Sequence, residues 1–106
     1  MTTISKDPNI VTLINVFTVE PGKQQKLIDL LIEATEKTMR HLPGFISANL
    51  HRSLDGKQVV NYAQWRSRQD FEAMLHNPAA IPHMQEIASF TKFDPNLYDV
   101  IEVIHI

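Results

Sequence analysis

Along the chain, stretches whose apolar residues follow strand spacing alternate with stretches whose apolar residues follow helical spacing. Val11 to Glu20 (VTLINVFTVE) is rich in β-branched and aromatic residues, which predicts a strand that Pro21-Gly22 ends. From Lys23 to about Leu42, apolar side chains recur every three or four positions, with Lys, Gln, Asp and Glu between them. This periodicity predicts an amphipathic helix that Pro43-Gly44 stops.

The middle of the chain predicts a hairpin followed by a helix. Phe45 to Leu54 and Lys57 to Arg66 have strand composition, and they flank Asp55-Gly56, a dipeptide that favours a type I′ turn. Ser67 with Asp70 three residues later resembles a capping box, which predicts the start of a short helix.

The last third of the chain predicts another helix and a final strand. That helix is expected from Asn77-Pro78 to about Phe90, bent or restarted at Pro82. A loop that contains Asp94-Pro95 then leads to the expected last strand, Leu97 to Ile106. The element order β-α-β-β-α-β is the split βαβ pattern of the ferredoxin-like fold. It predicts an α+β domain over residues 10–106, with a four-stranded antiparallel sheet and helices on one face. Residues 1–9 are polar and are expected to form a flexible N-terminal arm.

The first strand is apolar on both of its faces. Leu13 and Phe17 lie on one face, and Ile14 and Val16 lie on the other. The expected last strand has the same two-sided pattern, whereas a sheet covered by helices on one face should alternate apolar and polar residues. Since the chain has no spare element to cover the second face, we expect a two-fold homodimer packed sheet against sheet, a dimeric α+β barrel. The alternative is a monomer with an apolar patch of a size that is rare on soluble monomers.

Composition narrows the function classes. The chain has 106 residues, no cysteine, and ten basic against twelve acidic residues for a net charge of −2. Disulfides and thiolate chemistry are therefore excluded, and nucleic acid is not an expected partner because no basic cluster is present. No signal peptide and no run of ~20 apolar residues is found, so we expect a cytoplasmic protein without a membrane partner. Metal-ligand spacings and glycine-rich nucleotide motifs are absent, so no metal, nucleotide or flavin site is predicted.

Candidate chemistry centres on the third predicted strand. Asn61 and Trp65 are four residues apart and share a face of that strand if no bulge intervenes, so they form a small hydrogen-bonding wall. The alternative is a packed Trp beside an Asn that the backbone satisfies. Asn15 interrupts an apolar strand, and burying its amide without partners costs ~1–3 kcal/mol, so it is either hydrogen-bonded in the core or lines a cavity. His83 follows Pro82 and is a candidate base, or simply a partly exposed helix residue.

These segments resemble the antibiotic biosynthesis monooxygenase domain family, small dimeric α+β barrels of the ferredoxin-like type. The resemblance covers about residues 10–106 and includes INVFTVEPG (Ile14–Gly22), LPGF (Leu42–Phe45), DGKQVVNYAQW (Asp55–Trp65) and SRQDF (Ser67–Phe71). The NYAQW segment is similar to that of anthrone monooxygenases of the actinorhodin-pathway type. The resemblance implies an enzyme that oxidises an electron-rich aromatic or quinol-type small molecule with O₂ as co-substrate and without a cofactor.

The resemblance also implies roles for particular residues. Asn61, Trp65 and His83 are the expected catalytic residues, and the expected substrate contacts are Asn15, Phe17, Phe71 and Met74. Phe71 stands where relatives have a pocket Tyr, and a residue near Gln85 stands where they have a pocket Arg.

Two alternatives follow from the departures from the family pattern. The missing Tyr hydroxyl and Arg charge also suit a dimeric module that binds a small ligand without catalysis. A haem-degrading branch of the family has counterparts of Asn15 and His83, but Met74 stands where that branch has a Trp.

Overall fold

A computed structural model describes all 106 residues and confirms the ferredoxin-like α+β fold. The strands pair antiparallel in the order β2-β3-β1-β4, and the helices cover one face of the sheet. In chain order the elements are β1 (Val11–Thr18), α1 (Gln24–Lys37), β2 (Phe45–Arg52), β3 (Gln58–Trp65), α2 (Arg68–Leu75), α3 (Ile81–Ala88) and β4 (Lys92–Tyr98).

Helix α1 forms where the apolar periodicity places it. Leu27, Leu31 and Ala34 are buried, and they recur at the spacing that puts side chains on one face of a helix. The helix ends at Lys37 rather than near Leu42, and a single 3₁₀ turn (Met39–His41) completes the predicted segment.

The predicted hairpin is present, but its turn differs from the expected type. Strands β2 and β3 pair as expected, with a register irregularity between Phe45 and Ser47 in β2 and none in β3. A type I′ turn needs two residues with positive φ, whereas only Gly56 has one in this loop. Asp55 keeps negative φ because its carboxylate accepts hydrogen bonds from Ser53 Oγ at 2.6 Å and from the Lys57 backbone N–H at 3.0 Å.

After β3 the chain forms two helices separated by a turn over residues 76–80, and the second begins next to Pro82, where the sequence predicts a restart. Ser67 caps α2 by accepting a hydrogen bond from the Asp70 backbone N–H at 3.1 Å. Helix α3 begins at Ile81 with Pro82 in its first turn, where the missing proline N–H breaks no helical hydrogen bond. Asn77 does not begin a helix; its Oδ1 atom accepts from the Ala79 backbone N–H at 2.8 Å in a turn.

The prediction for the last strand was wrong. Strand β4 spans Lys92–Tyr98 and includes the Asp94-Pro95 segment that was expected in a loop. Proline is tolerated here because β4 is an edge strand, paired only with β1, so one side of it carries no ladder hydrogen bonds. The apolar segment from Val100 to Ile106 lies outside the sheet, and Ile101, Ile104 and Ile106 are largely exposed.

The face of the sheet away from the helices is partly covered by the N-terminal arm. Thr2 Oγ1 donates a hydrogen bond to Asn49 Oδ1 at 2.9 Å, and Gln64 Nε2 donates to the Thr3 backbone carbonyl at 2.8 Å. We expected that no segment of the chain would cover this face of the sheet. That expectation is wrong at β2 and β3, where the N-terminal arm contacts the sheet. None of the helices has the length and apolar character that a membrane crossing requires.

Candidate active site

The hydrophobic core is divided into two clusters rather than one. One cluster lies beneath α2, and its buried members are Leu13, Ala63, Trp65, Phe71, Met74 and Ala80. The other lies beneath α1 and α3, and its buried members are Phe17, Val19, Leu27, Leu31, Val59 and Ile87. A domain of this size usually has one contiguous core, so the division needs a physical cause.

The cause is a polar row across the sheet. In the β1–β3 register, Leu13 pairs with Ala63 in one cluster and Phe17 pairs with Val59 in the other, and Asn15 pairs with Asn61 between them. Side chains two residues apart on a strand share a face, so both Asn side chains face the helices, as their apolar neighbours do. The two amides interrupt the apolar floor at the point where the clusters would otherwise join.

A cavity of about 550 Å³ lies above this row, between the sheet and the helical layer. Its volume is within the range of small-molecule pockets, and most of its lining is apolar. Six of the seven predicted site residues line it: Asn15, Phe17, Asn61, Trp65, Phe71 and Met74. The fold therefore brings these six side chains to one cavity.

Three buried polar atoms in the cavity lining have no hydrogen-bond partner. They are Asn15 Oδ1, Asn61 Oδ1 and Trp65 Nε1. Nearly all buried polar groups in folded proteins are satisfied, and each unsatisfied one costs about 1–3 kcal/mol. The amides and the indole together present acceptors and donors to the same apolar space. This arrangement favours a ligand that carries both hydroxyl and carbonyl groups.

Two aromatic neighbours hold the indole of Trp65 in place. Phe45 contacts it edge to face with ring centroids 5.5 Å apart, and Phe71 does so at 6.1 Å. Such T-shaped pairs are favourable because the positive edge of one ring meets the negative face of the other. The indole therefore has a defined orientation, and its N–H is positioned before any ligand binds.

The structure does not place His83 at this cavity. Its Nε2 atom hydrogen-bonds Thr38 Oγ1 at 3.1 Å, at the C-terminal end of α1, and the residue is absent from the cavity lining. A hydrogen bond from Lys37 lowers the pKa of Glu33, and the nearby His83 ring acts in the same direction. The structure therefore does not support His83 as the catalytic base. Helix α3 begins at Ile81, and it is Met84 and Ile87 of this helix, not His83, that line the cavity.

The only ionisable side chains in the lining lie on α2. Arg68 Nε donates to Glu72 Oε1 at 2.9 Å, and both side chains are more than half exposed, so the pair lies at the rim. These two residues were not predicted as site residues. Their four-residue spacing on a helix does predict an ion pair, but not its place at the cavity. Met39, Phe45 and Met84 were not predicted either, because their presence in the lining depends on how the helices pack. No group of three or more His, Asp or Glu side chains could hold a metal ion.

Comparison with known proteins identifies relatives of the chain. Residues 10–88 match the family model described as antibiotic biosynthesis monooxygenase. The chain is 50% identical over 100 residues to tetracenomycin-F1 monooxygenase of Streptomyces glaucescens, and the match covers 94% of this chain and 89% of that protein.

Solved structures share the fold. The monooxygenase ActVA-Orf6 of Streptomyces coelicolor, in complex with the ligand nanaomycin D, superposes with a TM-score of 0.83 at 29% identity, over 94% of this chain and 96% of that one. SnoaB of Streptomyces nogalater, described as a cofactor-independent oxygenase, superposes with a TM-score of 0.81 at 24% identity, over 91% and 97% of the two chains. At that identity, the likeness to SnoaB shows the fold alone.

Proposed function

Because the chain belongs to the antibiotic biosynthesis monooxygenase family, we propose that it is a cofactor-independent monooxygenase that oxidises an electron-rich aromatic small molecule with O₂. The observation that carries the proposal is the set of three unpartnered polar atoms in a mostly apolar cavity. The names of two relatives support the substrate class, since one is a tetracenomycin-F1 monooxygenase and the other is a monooxygenase that holds nanaomycin D.

The cavity suits a flat polycyclic molecule with oxygen substituents, such as an anthrone or a hydroquinone. Phenolic hydroxyls can donate to the Oδ1 atoms of Asn15 and Asn61, and a ring carbonyl can accept from the Trp65 N–H. The rings themselves would contact aromatic and thioether side chains such as Phe71 and Met74. Binding of this kind satisfies the orphaned polar atoms and buries apolar surface at the same time.

Such a substrate can supply all the electrons that the reaction needs. Loss of a proton from an anthrone CH₂ gives a delocalised carbanion, which passes one electron to O₂. The substrate radical and superoxide combine to a peroxide anion, which takes back one proton to give a hydroperoxide. Loss of water from the hydroperoxide then leaves a carbonyl. The balance is CH₂ + O₂ → C=O + H₂O, with one oxygen atom in the product and one in water. The reaction therefore draws on no metal, haem or flavin as electron donor.

In this scheme the protein stabilises charge and excludes water. Negative charge builds up on the substrate oxygen as the proton leaves, and the Trp65 N–H and the Asn61 amide are the donors placed to stabilise it. Apolar walls keep the local dielectric low, which strengthens these hydrogen bonds and protects the carbanion from reprotonation by water. Asn15, opposite Asn61, orients the ligand.

The proton itself has no histidine acceptor in the cavity. Stabilisation of the enolate lowers the pKa of the bound substrate, so that water at the rim, beside Glu72, suffices to carry the proton away.

His83→Ala should accordingly leave turnover almost unchanged. We expect a decrease of less than about threefold, whereas the loss of a general base typically costs ~10²–10⁴-fold. Steady-state rates of oxygen uptake, with circular dichroism to verify folding, give the measurement. A loss of ~10²-fold or more in a folded variant would return His83 to the mechanism as a base that reaches the substrate by local rearrangement.

Oxygen uptake by protein treated with a chelator tests the proposed function. Purified protein is mixed with anthrone in air-saturated buffer, and uptake is compared with the uncatalysed rate. With ¹⁸O₂ as the oxidant, we expect one labelled atom in the quinone and one in water. Ligand binding without uptake would instead identify a binding module, and uptake that depends on added metal would contradict the cofactor-free scheme.

We also propose that the chain functions as a homodimer. Ile14, Val16 and Val60 on the outer face of the sheet are only partly buried, and the isoleucines of the C-terminal segment are largely exposed. A second copy would remove this apolar surface from water. Light scattering coupled to size exclusion should therefore give twice the chain mass of 12.1 kDa. A mass equal to that of one chain at micromolar concentration would contradict the proposal.

A further inference from the structure

Three of the four methionines of the chain line the cavity. Met39 comes from the 3₁₀ turn, Met74 from α2 and Met84 from α3, so three separate segments of the helical layer each contribute one thioether to the roof above the Asn15–Asn61 row. Met74 is 8% exposed, and Met39 and Met84 pack against its cluster. The fourth, Met1, is fully exposed at the chain terminus.

This placement has a chemical consequence if the cavity forms a hydroperoxide. Thioethers are the most readily oxidised side chains in this chain, since it contains no cysteine. A hydroperoxide held among three thioethers can lose water to give the quinone, or it can transfer its outer oxygen to sulfur. In the second case the O–O bond breaks, an S–O bond forms, and the proton moves to the substrate oxygen: ROOH + Met → ROH + Met sulfoxide.

We propose that Met39, Met74 and Met84 are modification sites, which the enzyme's own hydroperoxide intermediate oxidises to sulfoxides during turnover. The inference rests on the proposed function. Oxidation makes an apolar side chain polar, so each sulfoxide would disturb the roof of the cavity and reduce activity. The number of turnovers per molecule is therefore limited, unless a sulfoxide reductase restores the thioethers.

Met1 provides an internal control for the source of the oxidant. In one sample the protein turns over anthrone in air with catalase present, so that free hydrogen peroxide is removed. In a second sample the protein receives hydrogen peroxide without substrate. Peptide mass spectrometry then locates each added oxygen atom. We expect sulfoxide at Met39, Met74 and Met84 but not at Met1 in the first sample, and at Met1 before the others in the second.

The outcomes separate this inference from the function that it rests on. Oxygen uptake without sulfoxide in the cavity, or with Met1 as the main oxidised site, overturns the inference and leaves the monooxygenase intact. No uptake overturns both. The Met39→Leu, Met74→Leu and Met84→Leu triple variant adds a functional readout. It should complete more turnovers before inactivation relative to its own initial rate, and methionine sulfoxide reductases should revive the spent wild-type protein but not the spent variant.

Discussion

Replacement of Asn61 by Ala should lower turnover by ~10²-fold or more, as the loss of one oxyanion donor does in other enzymes. The side chain forms the polar row together with Asn15, its Nδ2–H group is the proposed donor, and its Oδ1 atom has no partner in the protein. Removing the amide therefore breaks no internal hydrogen bond of that oxygen, and the loss should appear in kcat rather than in folding. Trp65→Phe, which removes the N–H and keeps an aromatic wall, should lose activity in the same range. The measurement is the steady-state rate of oxygen uptake with anthrone.

Asn49 is the matched control for this experiment. It is an Asn of the same sheet, but it lies on strand β2 with its amide donating to the Tyr62 backbone carbonyl at 3.0 Å, away from the cavity lining. Asn49→Ala should keep turnover close to that of the wild type. If both substitutions lowered turnover equally, the loss would reflect a general disturbance of the sheet rather than a role of Asn61 in the reaction. If Asn61→Ala changed turnover by less than about threefold, Asn61 would have no part in the mechanism.

Asn61→Leu should stabilise the protein while it abolishes activity. In the wild type, the buried Oδ1 atom of Asn61 has no hydrogen-bond partner, which costs about 1–3 kcal/mol of stability. The substitution removes this atom, and the neighbouring cavity has room for the leucine side chain. We expect the free energy of unfolding to rise by about 1 kcal/mol, which corresponds to a Tm increase of roughly 4–8 °C in a domain of this size. Most substitutions in a protein core lower the free energy of unfolding instead. Thermal unfolding followed by circular dichroism measures the change.

The same control separates a ligand site from a general preference of the sheet for Leu. Asn49 Oδ1 accepts from Thr2 Oγ1 and its Nδ2 atom donates to the Tyr62 carbonyl, so Asn49→Leu breaks satisfied hydrogen bonds and should lower the Tm. A lower Tm for Asn61→Leu as well would show that the Asn61 amide has a structural role. In that case the unpartnered oxygen would no longer indicate a ligand.

Much of the candidate site could be predicted from the alternation of side chains along two strands. Asn61 and Trp65 share a face because β3 has no bulge, and Asn15 faces the same way because it pairs with Asn61. His83 could not be placed in this way. Its direction depends on where α3 restarts and how α3 packs against α1, and neither is set by the residues next to it.

The last strand was also mispredicted, because its position depends on the whole sheet rather than on neighbouring residues. Asp94-Pro95 has the composition of a loop, yet it lies in β4, because that strand is at the edge of the sheet and needs hydrogen bonds on one side only. Edge position is a property of the whole sheet. The apolar run to Ile106 has strand composition, but it has no neighbouring strand in this chain.

Features that depend on residues close along the chain could be predicted: the apolar periodicity, the Ser67 cap, the helix start near Pro82 and the order of the elements. The contacts between distant side chains could not, because they depend on the complete fold. Strand register placed Asn15 opposite Asn61 between two apolar clusters, and helix packing brought three methionines above them while it held His83 against Thr38. The physical reason is that hydrogen-bonded turns form between close residues. A cavity, in contrast, requires packing between segments far apart in the chain, and only the complete fold specifies it.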